Sequence, residues 1–272
     1  YINMNRVIIL GVSADIGSNI CKLFHGDGFD VIGTYRNDFD ARSELEGLEN
    51  VKLIQCDLTQ SRDVQRLADF VRSQEFKWTH LFSSVGTSEP IGRFFDLDFD
   101  GWEKSVTINM TSQLRAVHSL YPLRASSRQA NVALLAGGGT NNPFRCYSSY
   151  AVAKIGLIKM CELIDDETED LNIFIVGPGF VKTKTHFETL KAGEKAESNF
   201  GRVKEFMDSN DKGTSFEDIY KCLQWGAAMG REVAGGRNFS VVHDKWGTER
   251  LESELKQDND MYKLRRYRNN WK

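Results

Sequence analysis

The amino-acid sequence predicts an α/β fold, namely one doubly wound domain whose seven-stranded, mostly parallel sheet carries helices on both faces. Six short runs rich in β-branched residues recur between residues 6 and 176: RVIIL, DVIGTY, VKLIQC, THLFSS, NVALLA and LNIFIV. Between most of them lie longer stretches with helical periodicity, such as SRDVQRLADFVRSQ. Strands that alternate with helices favour parallel βαβ units. No repeat or Pro/Gly/Ser-rich linker divides the 272 residues, so one domain is expected.

The composition is that of an ordinary globular protein, with 40% hydrophobic and 27% charged residues. A net charge of −3 gives no reason to expect a nucleic-acid partner. The sequence has no apolar run of membrane length and no signal peptide, so no membrane partner is expected. Its five cysteines lack paired or metal-ligand spacing and are expected to be reduced thiols of a cytoplasmic protein.

The first strand is followed by the turn GVSADIG, in which Gly11 ends the strand and Gly17 lies inside the next helix. Glycines here let the backbone approach a pyrophosphate at the helix N-terminus. Asp15 stands where a middle glycine is usual, and it must point away from a bound pyrophosphate to avoid repulsion. The expected cofactor contacts in this turn are Gly11, Ser13, Asp15, Ile16 and Gly17.

The second strand ends in Tyr35 and Arg36, with no acidic residue before Asp38. An acid at this point binds the ribose 2′-hydroxyl of NAD, whereas a guanidinium suits a 2′-phosphate. NADP(H) is therefore favoured and NAD(H) remains possible, with a plain surface arginine as the alternative. After the third strand, Asp57 and the adjacent Leu58 are expected at the adenine, although Asp57 equally fits a helix cap.

The segment LLAGGGTNNPFRCYSSYAVAK, residues 134–154, follows the fifth strand and opens a helix. Tyr150 and Lys154 are four residues apart, which puts a phenol and an ammonium on one helical face, as a proton-transfer pair requires. The alternative interpretation is an ordinary exposed pair on a helix.

With the glycine turn, Asp57, SSVG, Asn109 and YAVAK in this order, the chain resembles the short-chain dehydrogenase/reductase family from about residue 6 to residue 242. The resemblance implies a Rossmann-type fold and a nicotinamide cofactor. It also implies a homodimer or homotetramer that pairs through helices around residues 110–128 and 150–166. The further cofactor contacts that it implies are Ser84, Val85, Gly86, Pro178, Gly179, Val181 and Thr183.

The same resemblance implies a set of catalytic roles. Tyr150 is expected to give its proton to a carbonyl oxygen as hydride arrives from the nicotinamide. Lys154 is expected to lower the phenol pKa toward neutrality, together with the oxidised nicotinamide, and to hydrogen-bond the nicotinamide ribose. Asn109 is expected to hold a water that links Lys154 to solvent.

One part of the family pattern is absent. The substrate-holding serine of the family falls where this chain has Ala136 and Gly137, and neither offers a side-chain donor. Loss of one such donor typically costs a factor of roughly 10² to 10³ in turnover. Thr140, the serines at 148 and 149, or the backbone N–H groups of the three-glycine run could replace it. We expect Thr140 or the glycine backbone.

Beyond Pro178 the alternation of strand-like and helical segments stops. Residues 182–215 are polar, with two short helical stretches, and are predicted to form a flap over the site; its cationic side chains, Lys182, Lys184, His186, Lys191 and Lys195, suit an anionic substrate group. A helix near 216–230 and a strand near 238–242 complete the sheet. The expected organisation is an oxidoreductase domain at 4–243, which includes the flap, and a basic tail at 244–272.

Three functions remain in view. The first is an NADP(H)-dependent oxidoreductase acting on a hydroxyl or carbonyl of a small, polar, sugar-like substrate. The second is a catalytically weakened dinucleotide-binding or partner subunit, which the absent serine suggests. The third is a sugar-nucleotide epimerase or dehydratase with tightly held NAD, against which Arg36 and the lack of a larger C-terminal substrate domain argue.

Overall fold

The computed structural model describes residues 5–267, and it confirms the predicted α/β fold. Seven strands form one sheet in the order β3-β2-β1-β4-β5-β6-β7, and every neighbouring pair runs parallel. The strands are β1 (Arg6–Leu10), β2 (Asp30–Tyr35), β3 (Val51–Gln55), β4 (His80–Ser83), β5 (Ala130–Leu135), β6 (Leu171–Gly177) and β7 (Asn238–Ser240).

The described residues contain ten α-helices, which include those that cover the two faces of the sheet. They are α1 (Asp15–Gly26), α2 (Arg42–Glu46), α3 (Ser61–Ser73), α4 (Phe99–Val106), α5 (Ser112–Leu120), α6 (Ser148–Glu167), α7 (Lys184–Ala192), α8 (Ser198–Asp208), α9 (Phe216–Ala234) and α10 (Glu249–Gln257). Helix α9 bends at Gly230, whose φ of 67° is outside the helical range. No helix within residues 5–267 is both long and apolar enough to cross a lipid bilayer.

The strands are apolar throughout because both faces of the sheet are buried. In β1, Val7 and Ile9 face a core formed with α1, α9 and α10, while Ile8 and Leu10 face a second core formed with α3, α5 and α6. The chain winds outward from β1 in both directions, toward β2 and toward β4. Such a reversal of strand order leaves a crevice at the carboxyl ends of the two central strands, where ligands bind in this class of sheet.

The region after residue 178 differs in detail from the expectation. The last strand spans Asn238–Ser240, shorter than the predicted 238–242, and helices α7 and α8 lie in the predicted flap. The predicted basic tail is not a separate appendage up to residue 257, because Leu251 and Leu255 of α10 are buried in the core beside α9. The basic residues 268 and 272 lie outside the described residues.

Candidate functional site

The turn between β1 and α1 has the close packing that a phosphate-binding turn requires. Gly11 has a φ of +83°, and its N–H donates to both the carbonyl and the hydroxyl of Thr34 (3.1 and 3.0 Å). A Cβ built on Gly17 would overlap the carbonyl oxygen of Gly11 and the hydroxyl of Ser84. No side chain of the preceding residue caps α1, so its first N–H groups face the cleft without that partner. The turn thus fits a pyrophosphate.

Asp15 has a role in the structure that its sequence position does not indicate. Its carboxylate accepts a hydrogen bond of 2.8 Å from the backbone N–H of Lys184, the first residue of α7. The acidic residue of the phosphate turn therefore holds the start of the flap helix, and the positive end of that helix's dipole favours the contact.

The far end of the cleft carries the residues predicted at the adenosine. Tyr35 is buried and packs under the guanidinium of Arg42, 4.7 Å from its ring centre, while Arg36 is exposed at the rim. One carboxylate oxygen of Asp57 accepts from both the N–H and the hydroxyl of Thr59 (3.0 and 2.7 Å). Asp57 thus closes the turn before α3 and does not cap the helix, whose N-cap Gln60 has no side-chain cap.

Tyr150 and Lys154 lie one turn apart at the start of α6. The Lys154 ammonium donates to the carbonyls of Leu135 and Val85 (2.9 and 3.5 Å) and lies 5.8 Å from the Tyr150 ring centre. Burial lowers the pKa of Lys154 to about 8. Burial, aided by the charge of Glu188, raises the pKa of Tyr150 to about 12. Among the protein's own groups desolvation of the phenolate dominates, and the expected shift toward neutrality, which also involves the oxidised nicotinamide, stays a prediction.

The space that a serine side chain would need before Tyr150 is occupied by the phenol itself. A Cβ built on Gly137 would lie 2.5 Å from Cζ of Tyr150 and still closer to its hydroxyl oxygen, so the phenol occupies the space of any side chain there. Two of the proposed replacements do not line the cleft. Ser148 accepts from the indole N–H of Trp102 (3.0 Å), and Ser149 is fully buried and is not among the described residues that line the cleft.

The remaining replacements line the cleft. Thr140 is half-buried there, next to the three-glycine run. Within residues 5–267, the N–H groups of residues 137–139 donate no backbone hydrogen bond, whereas the N–H of Ala136 donates to Val176 (2.9 Å). Gly139 has a φ of +104°, which a non-glycine residue rarely adopts. Backbone donors and the Thr140 hydroxyl thus both remain available to a substrate oxygen.

Asn109 lies in a π-helical turn, Thr107–Thr111, between α4 and α5. Its amide oxygen accepts from the N–H of Thr87 (3.0 Å), and its amide nitrogen donates to the carbonyls of Thr87 and Ser105 (2.9 and 3.0 Å). Both ends of the amide thus fix the backbone after β4, and the expected hold on a water stays a prediction.

Gln113 is a residue of this wall that sequence reasoning missed. Fully buried, it accepts from the hydroxyl of Ser83 (2.6 Å) and donates to the carbonyls of Val85 and Asn109 (3.2 and 2.7 Å). Gly86 follows Val85 in the chain, and a Cβ on Gly86 would lie 3.1 Å from the Asn109 amide oxygen. Polar side chains at 83 and 113 thus hold the end of β4.

The loop predicted beside the nicotinamide leads directly into the flap. Pro178, Gly179, Val181 and Thr183 all line the cleft, and Thr183 immediately precedes α7. Gly179 has a φ of +78°, and a Cβ on it would lie 2.6 Å from the side chain of Val242.

The flap packs over the cleft through polar contacts. The carboxylate of Glu188 on α7 accepts from the hydroxyl of Thr87 (3.1 Å) and the N–H of Ser88 (2.7 Å). Further along, Glu197 pairs with Arg93 and Arg145 (2.6 and 2.5 Å). Nothing in the sequence pattern marks Glu188, since it lies in a polar segment and its partners are 100 residues away.

Of the five flap cations, Lys184, His186 and Lys191 line the cleft, whereas Lys182 and Lys195 do not. Lys182 donates to the carbonyls of Met207 and Ser209 (3.3 and 2.8 Å), inside the flap itself. Lys191 pairs with Glu89 at the rim (3.4 Å). The charged flap group that acts on Tyr150 is instead the carboxyl of Glu188. The cationic subsite for an anionic substrate stays a prediction.

One cleft of about 1970 Å³ joins these features. Its volume exceeds the roughly 300–1,000 Å³ of a site for one small ligand, so a dinucleotide and a substrate fit together. All predicted site residues line it except Gly17 and Asn109, which are buried behind its wall. No group of three or more His, Cys, Asp or Glu residues within 5–267 could hold a metal ion.

Comparison with known proteins agrees with this geometry. The family described as short chain dehydrogenase matches residues 5–193. Short-chain dehydrogenase reductase 5 of Arabidopsis thaliana is 25% identical over 168 residues, which cover 56% of this chain and 61% of that protein. The benzil reductase of Bacillus subtilis, which forms (S)-benzoin, is 22% identical over 78% of this chain and 87% of its own length.

Two solved structures show the same fold. A short-chain dehydrogenase/reductase from Saccharomyces cerevisiae has a TM-score of 0.80 and 18% identity, covering 91% of this chain and 98% of its own. A short-chain dehydrogenase from Shigella flexneri, solved with NADP, has a TM-score of 0.72 and 17% identity, covering 88% and 97%.

Proposed function

This chain belongs to the short-chain dehydrogenase family, and on that premise we propose that it is an NADP(H)-dependent reductase of a small, polar, sugar-like carbonyl compound. The observation that carries the proposal is the pairing of Tyr150 and Lys154 on α6, at the wall of a cleft that also contains the phosphate-type turn.

The cleft residues fit a dinucleotide. Gly11 and the open N-terminus of α1 would hold the pyrophosphate, and Arg36 at the rim would meet a 2′-phosphate. The loop at 178–183 would hold the nicotinamide. The nicotinamide ring, when bound, supplies or accepts the hydride.

The protein's own groups favour the reductive direction near neutral pH. With a pKa of about 12, Tyr150 is protonated and ready to give its proton to the substrate oxygen. Lys154, with a pKa of about 8, is mostly charged at pH 7, and its ammonium stabilises the phenolate that proton transfer leaves behind. Lys154 is buried and Tyr150 is partly buried, which limits the access of water and strengthens this interaction.

The substrate oxygen needs a donor besides Tyr150. We assign this role to the backbone N–H groups of the three-glycine run, with the Thr140 hydroxyl as the alternative, because a side chain at Gly137 is sterically excluded.

The first test is a titration of the purified protein with NADPH and NADH, followed by energy transfer from tryptophan to the nicotinamide. We expect tighter binding of NADPH, and we expect Arg36→Ala to weaken NADPH far more than NADH. Equal losses for the two cofactors would refute the assignment of Arg36 to the phosphate.

The second test addresses the chemistry. Tyr150→Phe is expected to abolish NADPH-dependent reduction while NADPH affinity stays nearly unchanged, because only the proton donor is removed. Turnover that survives this change would refute the role of Tyr150.

A second candidate is a dinucleotide-binding or partner subunit with weak catalysis, and the steric exclusion of a serine at Gly137 is the observation that favours it. It predicts NADPH binding without turnover of any carbonyl substrate.

For either function, we propose a homodimer or homotetramer that pairs through α5 and α6.

A further inference from the structure

Helix α7 carries one acidic side chain toward the catalytic part of the cleft. The carboxylate of Glu188 lines the cleft, is half-buried, and acts electrostatically on the phenol of Tyr150. It is fixed in place by two donors, the hydroxyl of Thr87 at 3.1 Å and the N–H of Ser88 at 2.7 Å. Thr87 in turn is held by the amide of Asn109, so the carboxylate is anchored to the catalytic wall.

This carboxylate has unused acceptor capacity. Two carboxylate oxygens offer about four lone-pair positions, and two of them are occupied by the donors at Thr87 and Ser88. Glu188 makes no ion pair of contact distance among the described residues, although Lys184, one turn earlier on α7, acts on it electrostatically. A partly desolvated carboxylate is stabilised by each further hydrogen bond, and a ligand in the cleft is placed to supply another donor.

We infer that Glu188 accepts a hydrogen bond from a hydroxyl group of the substrate, and that this cleft selects uncharged, hydroxyl-bearing carbonyl compounds over anionic ones. The inference rests on the proposed function, since it takes the substrate carbonyl to lie at Tyr150. A carboxylate at this position repels phosphorylated or carboxylated substrates, which reverses the expectation drawn from the flap lysines.

The charges around Tyr150 favour a neutral substrate over a cationic one. Lys154 supplies one positive charge and Glu188 one negative charge, so a neutral ligand leaves this part of the cleft balanced. An ammonium group on the substrate would add a second buried cation beside Lys154, at a desolvation cost that Glu188 alone must offset.

The test uses four ketones that share one frame: acetone, hydroxyacetone, aminoacetone and pyruvate. NADPH-dependent reduction is followed for the parent protein, Glu188→Ala, Glu188→Gln and Arg93→Ala. We expect the parent to prefer hydroxyacetone over acetone in kcat/KM by roughly 10- to 100-fold, the value of a hydrogen bond to a charged acceptor. Glu188→Ala should bring this ratio close to one.

The other two variants separate recognition from flap docking. Glu188→Gln keeps an acceptor oxygen without the charge, so it should retain part of the hydroxyl preference and reduce the discrimination against pyruvate. Arg93→Ala breaks the ion pair with Glu197 at another part of the flap and should keep the ratio. If Arg93→Ala lowers the ratio as far as Glu188→Ala does, the effect is flap docking and the inference is refuted.

Binding is measured in parallel with the Tyr150→Phe protein saturated with NADPH, as the ketone-induced change in nicotinamide fluorescence. If the parent protein shows no turnover but the binding still prefers hydroxyacetone in a Glu188-dependent manner, the proposed catalysis is refuted and the role of Glu188 is supported. Turnover without hydroxyl preference, preference for aminoacetone, or no Glu188-dependent binding would each overturn the inference.

Discussion

Lys154 should make the stability of this protein depend on pH in a direction unusual for a lysine. Its side chain is 3% exposed and donates to the carbonyls of Leu135 and Val85. Burial lowers its pKa from 10.5 to about 8, which corresponds to about 3 kcal/mol against the charged form in the folded state. At pH 7 the lysine is charged in both folded and unfolded protein, so the full cost is present.

The sign of the pH effect follows from proton binding. Because the folded pKa lies below the unfolded one, the unfolded protein binds more protons between about pH 8 and pH 10.5, and the free energy of unfolding rises with pH in that window. From pH 7 to pH 9, the contribution of Lys154 amounts to a gain of about 1 kcal/mol. Lys154→Met has no such group and should lack this gain.

The assay is urea unfolding of the parent and Lys154→Met at pH 7 and pH 9. The quantity of interest is the difference between the two proteins, because burial raises the pKa of Cys21 and Cys56 to about 12 and their effect at high pH is common to both. Between the two pH values, we expect the free energy of unfolding of the parent to rise by about 1 kcal/mol relative to that of the variant. A difference that stays constant would mean that the Lys154 ammonium is not desolvated, and the reasoning would fail.

Three further predictions concern packing. Gly137→Ser should reduce NADPH-dependent turnover by at least about tenfold rather than restore a missing group, because its Cβ displaces the Tyr150 phenol; increased turnover would contradict this. Gly17→Ala should weaken NADPH binding, measured by fluorescence titration, since its Cβ overlaps the carbonyl oxygen of Gly11; unchanged affinity would exclude a tight phosphate turn. Arg237→Met should lower the free energy of urea unfolding by roughly 3 kcal/mol, because the buried guanidinium donates to five backbone carbonyls around the ends of α9 and α10; a loss below about 1 kcal/mol would show that water satisfies them.

The sheet could be predicted closely because its strands are buried on both faces. Such strands are continuous apolar runs, and RVIIL and DVIGTY mark β1 and β2 to the residue. The pairing of Tyr150 with Lys154 could also be predicted from the sequence, since their spacing along one helix alone sets it. The strand after α9 was overestimated by two residues, because the chain turns after Ser240, although the N–H of Val241 still donates to the Gly177 carbonyl (3.0 Å).

The site itself depends on contacts that no local pattern encodes. Glu188 meets Ser88 across 100 residues of sequence, and Asp15 meets Lys184 across 169. The overlap of Tyr150 with the space at Gly137 is set by how α6 packs against the end of β5. Sequence spacing reports neighbours along one helix or strand, so these juxtapositions could only come from the tertiary structure.

The flap contacts both the phosphate-type turn and the catalytic wall of the cleft. At its start, the N–H of Lys184 is held by Asp15 of the phosphate-type turn, and one turn later Glu188 is held by Thr87, which Asn109 fixes beside the catalytic wall. A rigid helix of nine residues connects the two contacts. Displacement of the helix at Asp15 must therefore move the carboxylate that faces Tyr150, so occupancy of the phosphate turn and recognition of the substrate hydroxyl are expected to be coupled.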